Sequence, residues 1–318
     1  MEIPDGPFLF GTVAALGWSR HDLRCALTER RIRRVLHGVY TGADLEDSPA
    51  LRFAAAKLVL AHHAVVSDRS AAWLHGIDAF DPGALAHPPR LEVVSPASAT
   101  RVRREGVLGG SRALLREDVQ IIDGVAVTTP VRTAADLACL RGRSAAFAAM
   151  CAFARHHGVS RADLVAIAER YKGRRGVTQL RALAPLVTGQ CESPREAWTL
   201  LAIVDAGLPI PEPQVEIDVP GYGRVRLDLA YRLARIAVEY DGEEHHSSPE
   251  EQVHDEERRQ ALRDAGWAVI VVRKGQLSGP ALDGWLAELR GALDATRPKQ
   301  VRVSARAPRE IPRRQVWR

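Results

Sequence analysis

The 318-residue chain lacks most of what would tie it to a membrane, a cysteine-built metal site or an oxidising compartment. It has no run of about 18 apolar residues, so no transmembrane helix is predicted. Its first residues, Met1-Glu2-Ile3-Pro4-Asp5, place no basic region ahead of an apolar stretch, so a secretory signal is not expected. It has four cysteines (Cys25, Cys139, Cys151 and Cys191), none in a Cys-x-x-Cys pair. That scatter argues against a zinc site and against a disulfide framework, and makes the cytoplasm the expected compartment. No solenoid-type repeat is visible.

Apolar residues make up 46% of the chain, ample for packed cores, and the length predicts two or three domains. A net charge of +5 suits a polyanionic partner only mildly, because many soluble proteins are as basic. The most pointed feature is a set of acids. Asp228 follows Arg224-Val225-Arg226-Leu227, and Glu239 closes the run Ile236-Ala237-Val238, with Asp241 two residues on. Both runs predict short buried strands joined near residues 232–234. Alternation along the second strand puts Glu239 and Asp241 on one face. Three carboxylates gathered at neighbouring strand ends repel one another, and a divalent cation would relieve that, so a phosphodiesterase-type metal site is expected.

Ser193-Pro194-Arg195-Glu196 opens a helix, and Glu196 reads equally as the third residue of a capping box and as a fourth acid for the site. His245, in the turn after Asp241, has an ordinary pKa close to working pH and suits a general acid or base, with His246 equally within reach. Ser248-Pro249-Glu250-Glu251 begins another helix. Asp255 and Arg258 share one of its faces, where the commoner meaning is a solvated ion pair. The guanidinium of Arg258 could otherwise grip a phosphate. A buried strand over 269–272 ends in Arg273-Lys274, both placed to meet a nucleic-acid backbone.

This order of elements resembles the restriction-endonuclease-like PD-(D/E)XK fold. Residues 193–277, about a quarter of the chain, resemble a nuclease family similar to very-short-patch-repair endonucleases. The resemblance rests on Arg226-Leu227-Asp228-Leu229-Ala230, Val238-Glu239-Tyr240-Asp241-Gly242-Glu243-Glu244-His245, Asp255-Glu256-Glu257-Arg258 and Leu262-Arg263-Asp264-Ala265-Gly266-Trp267-Ala268-Val269. It implies that Asp228 and Glu239 hold Mg²⁺ (or Mn²⁺), with Glu196 completing the shell. Asp241 stands where many members of the wider fold carry a Lys, which this chain lacks.

At the other end, a short helix is predicted over 8–16, a turn at Gly17-Trp18, and a second helix capped by Ser19 with Leu23 and Leu27 on its buried side. Ile32, Val35 and Val39 then alternate around Arg33, Arg34 and His37 like a β-wing. Arg20, Arg24, Arg30, Arg31, Arg33 and Arg34 crowd into fifteen residues beside this helix-turn-helix pattern, which favours DNA phosphates over a merely solvated face. The region resembles the winged-helix domain of AbiEi-type antitoxins. That likeness continues through Val66-Ser67-Asp68-Arg69-Ser70-Ala71-Ala72-Trp73-Leu74-His75-Gly76 and Thr129-Pro130-Val131-Arg132-Thr133-Ala134-Ala135-Asp136-Leu137. It implies a transcriptional regulator.

Between these ends, helices are predicted at 51–62, 70–76, 131–140, 144–156, 161–171 and 177–187. Strands are predicted at 91–94, 107–109 and 119–128, the last folded at Asp123-Gly124. His75 is expected to act as a charged C-terminal helix residue. The expected organisation is α/β (α+β overall): a winged helix-turn-helix over 1–45, a mixed α/β middle domain over 46–190, an endonuclease-like domain with a mixed central sheet flanked by helices over 191–296, and a basic, disordered tail over 297–318. The main functional expectation is a Mg²⁺-dependent endodeoxyribonuclease delivered to DNA by its head. The alternative is a non-catalytic DNA-binding regulator of the AbiEi antitoxin type. DNA is the expected partner. A homodimer, and a partner toxin or repair protein, remain open.

Overall fold

The computed structural model describes residues 2–81, 84, 89–242 and 249–296, and of 249–253 only the backbone. The chain opens with β1 (Phe8–Leu9), α1 (Phe10–Ala14), α2 (Arg20–Thr28), β2 (Ile32–Leu36) and β3 (Val39–Gly42). The helix expected over 8–16 is shorter, because Phe8 and Leu9 are taken into a sheet of order β1-β3-β2, opposite Tyr40 and Val39. That placement buries Phe8 with its ring 6.0 Å from that of Tyr40. α2 starts where its cap predicts. Ser19 Oγ accepts the Asp22 N–H at 3.1 Å, and Asp22 Oδ2 accepts the Ser19 N–H at 2.8 Å.

There follow α3 (Pro49–Lys57), β4 (Val65–Val66), α4 (Asp68–Leu74), β5 (Leu91–Ser95), β6 (Val107–Ser111), β7 (Val119–Ile122) and β8 (Val125–Thr128). Their five strands form one sheet of order β6-β5-β4-β8-β7. Asp123 (φ 50°) and Gly124 (φ 79°) are both left-handed, the backbone that a two-residue type I′ hairpin requires. Four helices continue the chain: α5 (Pro130–Leu140), α6 (Arg143–His157), α7 (Arg161–Arg170) and α8 (Val177–Leu183).

The last unit holds α9 (Pro194–Asp205), β9 (Glu212–Val219), β10 (Gly223–Tyr231), β11 (Ile236–Asp241), α10 (Pro249–Asp264), β12 (Ala268–Arg273) and α11 (Gly279–Thr296). Its sheet has the order β12-β11-β10-β9, with only the β11–β12 pair parallel, and is mixed as expected. β9 and α11 were not expected. Pro213 argues against a strand, but β9 lies at the sheet edge, where a missing N–H is tolerated. α11 buries Trp285, Leu286, Leu289 and Leu293, a helical spacing that the sequence does carry.

The core is not cut where the sequence suggests domains. Val35, Leu36 and Val39 of the β2–β3 hairpin pack into one cluster with Phe53, Val66, Trp73 and Val127. A larger cluster runs from Ala72 through Phe147 and Leu164 to Leu200, Val238, Val272 and Leu289. The head has a small core of its own, built on Phe8, Val13, Trp18, Leu23 and Ile32. Among the described residues, no helix is long and apolar enough to cross a membrane. The chain is mixed α/β, as its sequence predicts.

Candidate nucleic-acid interface

α2 turns Leu23 and Ala26 inward, which leaves Arg20 and Arg24, four residues apart, on its exposed face. The Arg20 guanidinium lies 4.8 Å from the Phe10 ring centroid, a contact that steadies it without neutralising it. Cys25 and His21 pair on the same helix at 3.5 Å. Arg30 is exposed and takes a left-handed backbone (φ 55°) between helix and hairpin. On β2, Arg34 is exposed, 5.9 Å from the Tyr40 ring.

Two of the six arginines are engaged elsewhere. Arg31 is bonded to Glu29 at 2.8 Å, and Arg33 donates to the Leu45 carbonyl at 2.9 Å. Arg20, Arg24, Arg30 and Arg34 have no carboxylate partner among the described residues. Two of them lie on α2, one follows it and one lies on β2.

The acids of the last unit are differently placed. Asp228 Oδ2 accepts the Tyr240 N–H at 3.0 Å. Burial pushes its pKa up to about 6, the charges of Glu196 and Glu239 add to that, and the Tyr240 N–H and Arg258 oppose it. These three acids therefore do come near one another. Each is nonetheless bonded by protein donors. Glu239, buried on β11, takes both guanidinium nitrogens of Arg258, at 2.7 and 3.0 Å. Asp241 takes Arg259 at 2.8 Å. Glu196 accepts the Glu192 N–H at 2.9 Å and the Gln214 amide at 2.8 Å, so its capping bond reaches one residue further back than a capping box would place it.

Among the described residues, no three His, Cys, Asp or Glu side chains form a group that could hold a metal ion. The donor set does not fit Mg²⁺ or Mn²⁺, because an arginine already spans both oxygens of the central carboxylate. Arg258 is corrected in the same way. It serves Glu239 and the Arg226 carbonyl rather than standing free for phosphate. Arg273 and Lys274 are exposed at the end of β12. His245, His246 and the 297–318 tail lie outside the described residues.

Sequence reasoning missed the ion network of the middle segment. Asp136 on α5 accepts from Arg112 at 2.8 Å, Arg132 at 2.8 Å and the Tyr171 hydroxyl at 2.5 Å. Asp68 takes a second side of Arg112, and Asp118 bridges Arg132 and Arg170. The i,i+4 spacing of Arg132 and Asp136 was the one local signal for it. His75 is also corrected. It does stand at the C-terminus of α4, but burial lowers its pKa, and its ring makes a 2.8 Å bond to the Thr128 carbonyl instead of serving the helix as a charge.

Comparison with known proteins places this middle segment. Residues 63–186 match the family model described as the AbiEi antitoxin C-terminal domain. Two relatives from Mycobacterium tuberculosis carry the names "Uncharacterized protein MT2308" (strain CDC 1551 / Oshkosh) and "Uncharacterized protein Rv2248" (strain ATCC 25618 / H37Rv). Each is 29% identical over 262 residues, spanning 80% of this chain and 90% of the relative. The family match supports the AbiEi part of the resemblance, and the part resting on residues 193–277 has no such support. It overturns the endonuclease expectation: the matched family is an antitoxin family, and two of the acids that suggested hydrolysis, Glu239 and Asp241, hold α10 onto its sheet.

Proposed function

We propose that the protein is a DNA-binding regulator of the AbiEi antitoxin type, with α2 and the β2–β3 hairpin as a winged helix-turn-helix head. The observation that carries this reading is the AbiEi antitoxin match over residues 63–186, immediately behind the basic head. The unpaired charges of Arg20, Arg24, Arg30 and Arg34 support it, because such groups release counterions when they meet phosphates. A helix of this kind enters the major groove while the wing follows the backbone. A toxin protein is the partner that the family suggests.

The test is a salt series of gel shifts on duplex DNA from upstream of the chain's own coding region. The wild type should lose affinity steeply with salt. Arg20→Ala/Arg24→Ala should bind weakly and flatten the log–log slope by roughly 0.9 for each phosphate contact removed. Arg33→Ala should do less than Arg34→Ala, since Arg33 is already bonded to Leu45. Undiminished binding by Arg20→Ala/Arg24→Ala/Arg34→Ala would remove the head from the interface. Absence of duplex binding at low salt would remove the function itself.

A further inference from the structure

One cavity of the middle segment plays no part in the head. It measures about 320 Å³ and is lined by Ser111, Arg112, Asp136, Cys139, Tyr171, Arg174 and Arg175 among others. That volume lies at the small end of ligand pockets. We propose that this cavity, with Arg174 and Arg175 at its rim, binds a phosphate group.

The argument is one of charge left over. Asp136 is the only carboxylate in the described lining, and three donors already satisfy it: Arg112, Arg132 and Tyr171. It has nothing to spare for Arg174 or Arg175. Cys139, whose thiol is pushed up to about 11 by burial and by Asp136, is neutral and contributes no negative charge. Arg174 lies 4.4 Å from the Tyr171 ring centroid, which fixes its plane while leaving its N–H groups for a ligand. Neither Arg174 nor Arg175 has a carboxylate partner among the described residues.

Behind the wall sits Arg132, only 1% exposed, with its Nη2 lacking any hydrogen-bond partner. Arg132 touches three lining residues, through Asp136, the Ala113 carbonyl and the Tyr171 ring. A buried guanidinium N–H with no acceptor is costly, and it leaves positive charge behind the wall that the ion pairs of Arg132 do not fully use.

The loop that presents the two arginines is held rigidly. Gly176 has a left-handed backbone (φ 83°), and a Cβ there would stand 2.2 Å from the Cys139 carbonyl oxygen. Gln179 then donates to the Ala138 and Arg141 carbonyls, tying α8 to the end of α5 and occupying carbonyls that would otherwise repel an anion. The backbone that carries Arg174 and Arg175 to the cavity edge is thereby anchored, with the Arg175 side chain exposed at the rim. Planar guanidinium groups can each donate two N–H bonds to a tetrahedral oxyanion, which favours phosphate over a spherical anion. The group could belong to a free phosphomonoester or to a nucleic-acid backbone.

Calorimetry on the full chain in chloride buffer, with inorganic phosphate and adenosine monophosphate as separate probes, tests this. Duplex anisotropy forms a third arm. One probe molecule should bind per chain. Arg174→Gln/Arg175→Gln should weaken binding by about tenfold or more, with unchanged circular dichroism, whereas Arg24→Ala should leave the binding of inorganic phosphate and of the monophosphate intact. Gly176→Ala keeps both arginines but displaces the loop, so it should weaken binding as well and guards against a mere charge effect. If neither small probe binds the wild type and duplex affinity alone falls in the glutamine pair, the phosphate is that of DNA. If phosphate and the monophosphate bind undiminished in that variant, or no arm responds to it, the assignment falls. The phosphate and monophosphate arms do not depend on the head binding DNA.

Discussion

Arg132 is the residue on which most of the middle segment's ion network turns. It is 1% exposed and bonds Asp118 and Asp136, each at 2.8 Å. Arg132→Met would leave two buried carboxylates short of a partner, a loss on the order of 3–5 kcal/mol. Urea unfolding measures it, and a loss under about 1 kcal/mol would show the network to be dispensable. His75 and Asp228 carry opposite pH signatures. The lowered pKa of His75 means that, below its ordinary value near 6.5, the unfolded chain binds a proton that the folded chain refuses. Stability should therefore fall as pH drops through 6.5, and His75→Gln should flatten that slope in denaturation curves. The carboxyl of Asp228, raised from 3.8 to about 6, stabilises the fold only while protonated, and that contribution is lost as pH rises from 3.8 to about 6. Asp228→Asn keeps the oxygen that accepts the Tyr240 N–H. It should raise stability above pH 6 by on the order of 1–3 kcal/mol relative to wild type. A variant equal to or weaker than wild type at pH 7.5 would contradict the burial argument.

At the scale of elements, local chemistry decides where helices begin and neighbouring elements decide what they hold. α2 is nine residues long, too short to persist alone, so its Ser19–Asp22 box and its packing on β2 are both needed. Ser19→Ala should cost about 1 kcal/mol and weaken duplex binding less than loss of Arg20 and Arg24 does, since it frays the helix without removing charge. A binding loss as large as that of the arginine variant would mean that the cap, not the charge, governs the interface. α10 illustrates the reverse. Its sequence is strongly charged, and Arg258 and Arg259 clamp it to Glu239 and Asp241 of β11. Those same pairings turn an apparent cation site into a structural joint.

For the whole molecule, the continuous apolar cluster from Ala72 to Leu293 has a direct consequence. The α5–α8 helices and the last sheet should exchange amide protons, and unfold in denaturant, as one cooperative unit. Separate transitions for segments before and after residue 190 would refute this. The head, with its own small core, should open at lower free energy. Much of the architecture was legible beforehand. The Asp123-Gly124 hairpin, the Ser19, Ser193 and Thr129 caps and the mixed last sheet all follow from local spacing. β9 was obscured by Pro213, whose tolerance depends on an edge position that no local pattern reveals. The sequence gathered the acids at 228, 239 and 241, with 196 beside them, but did not reveal the guanidinium and amide partners that Glu239, Asp241 and Glu196 take.

The sequence by itself determined the elements that caps, alternation and turn residues specify, together with the concentration of arginine in the first forty residues. These are short-range properties, set by backbone sterics and by side chains within four or so positions of each other. Only the tertiary structure decided which charges are free. Arg112 reaches Asp68 across 44 residues, and Arg258 reaches Glu239 across 19. An acid has the same composition and spacing whether it awaits a cation or already holds a guanidinium. The difference lies in which helix the fold brings against it.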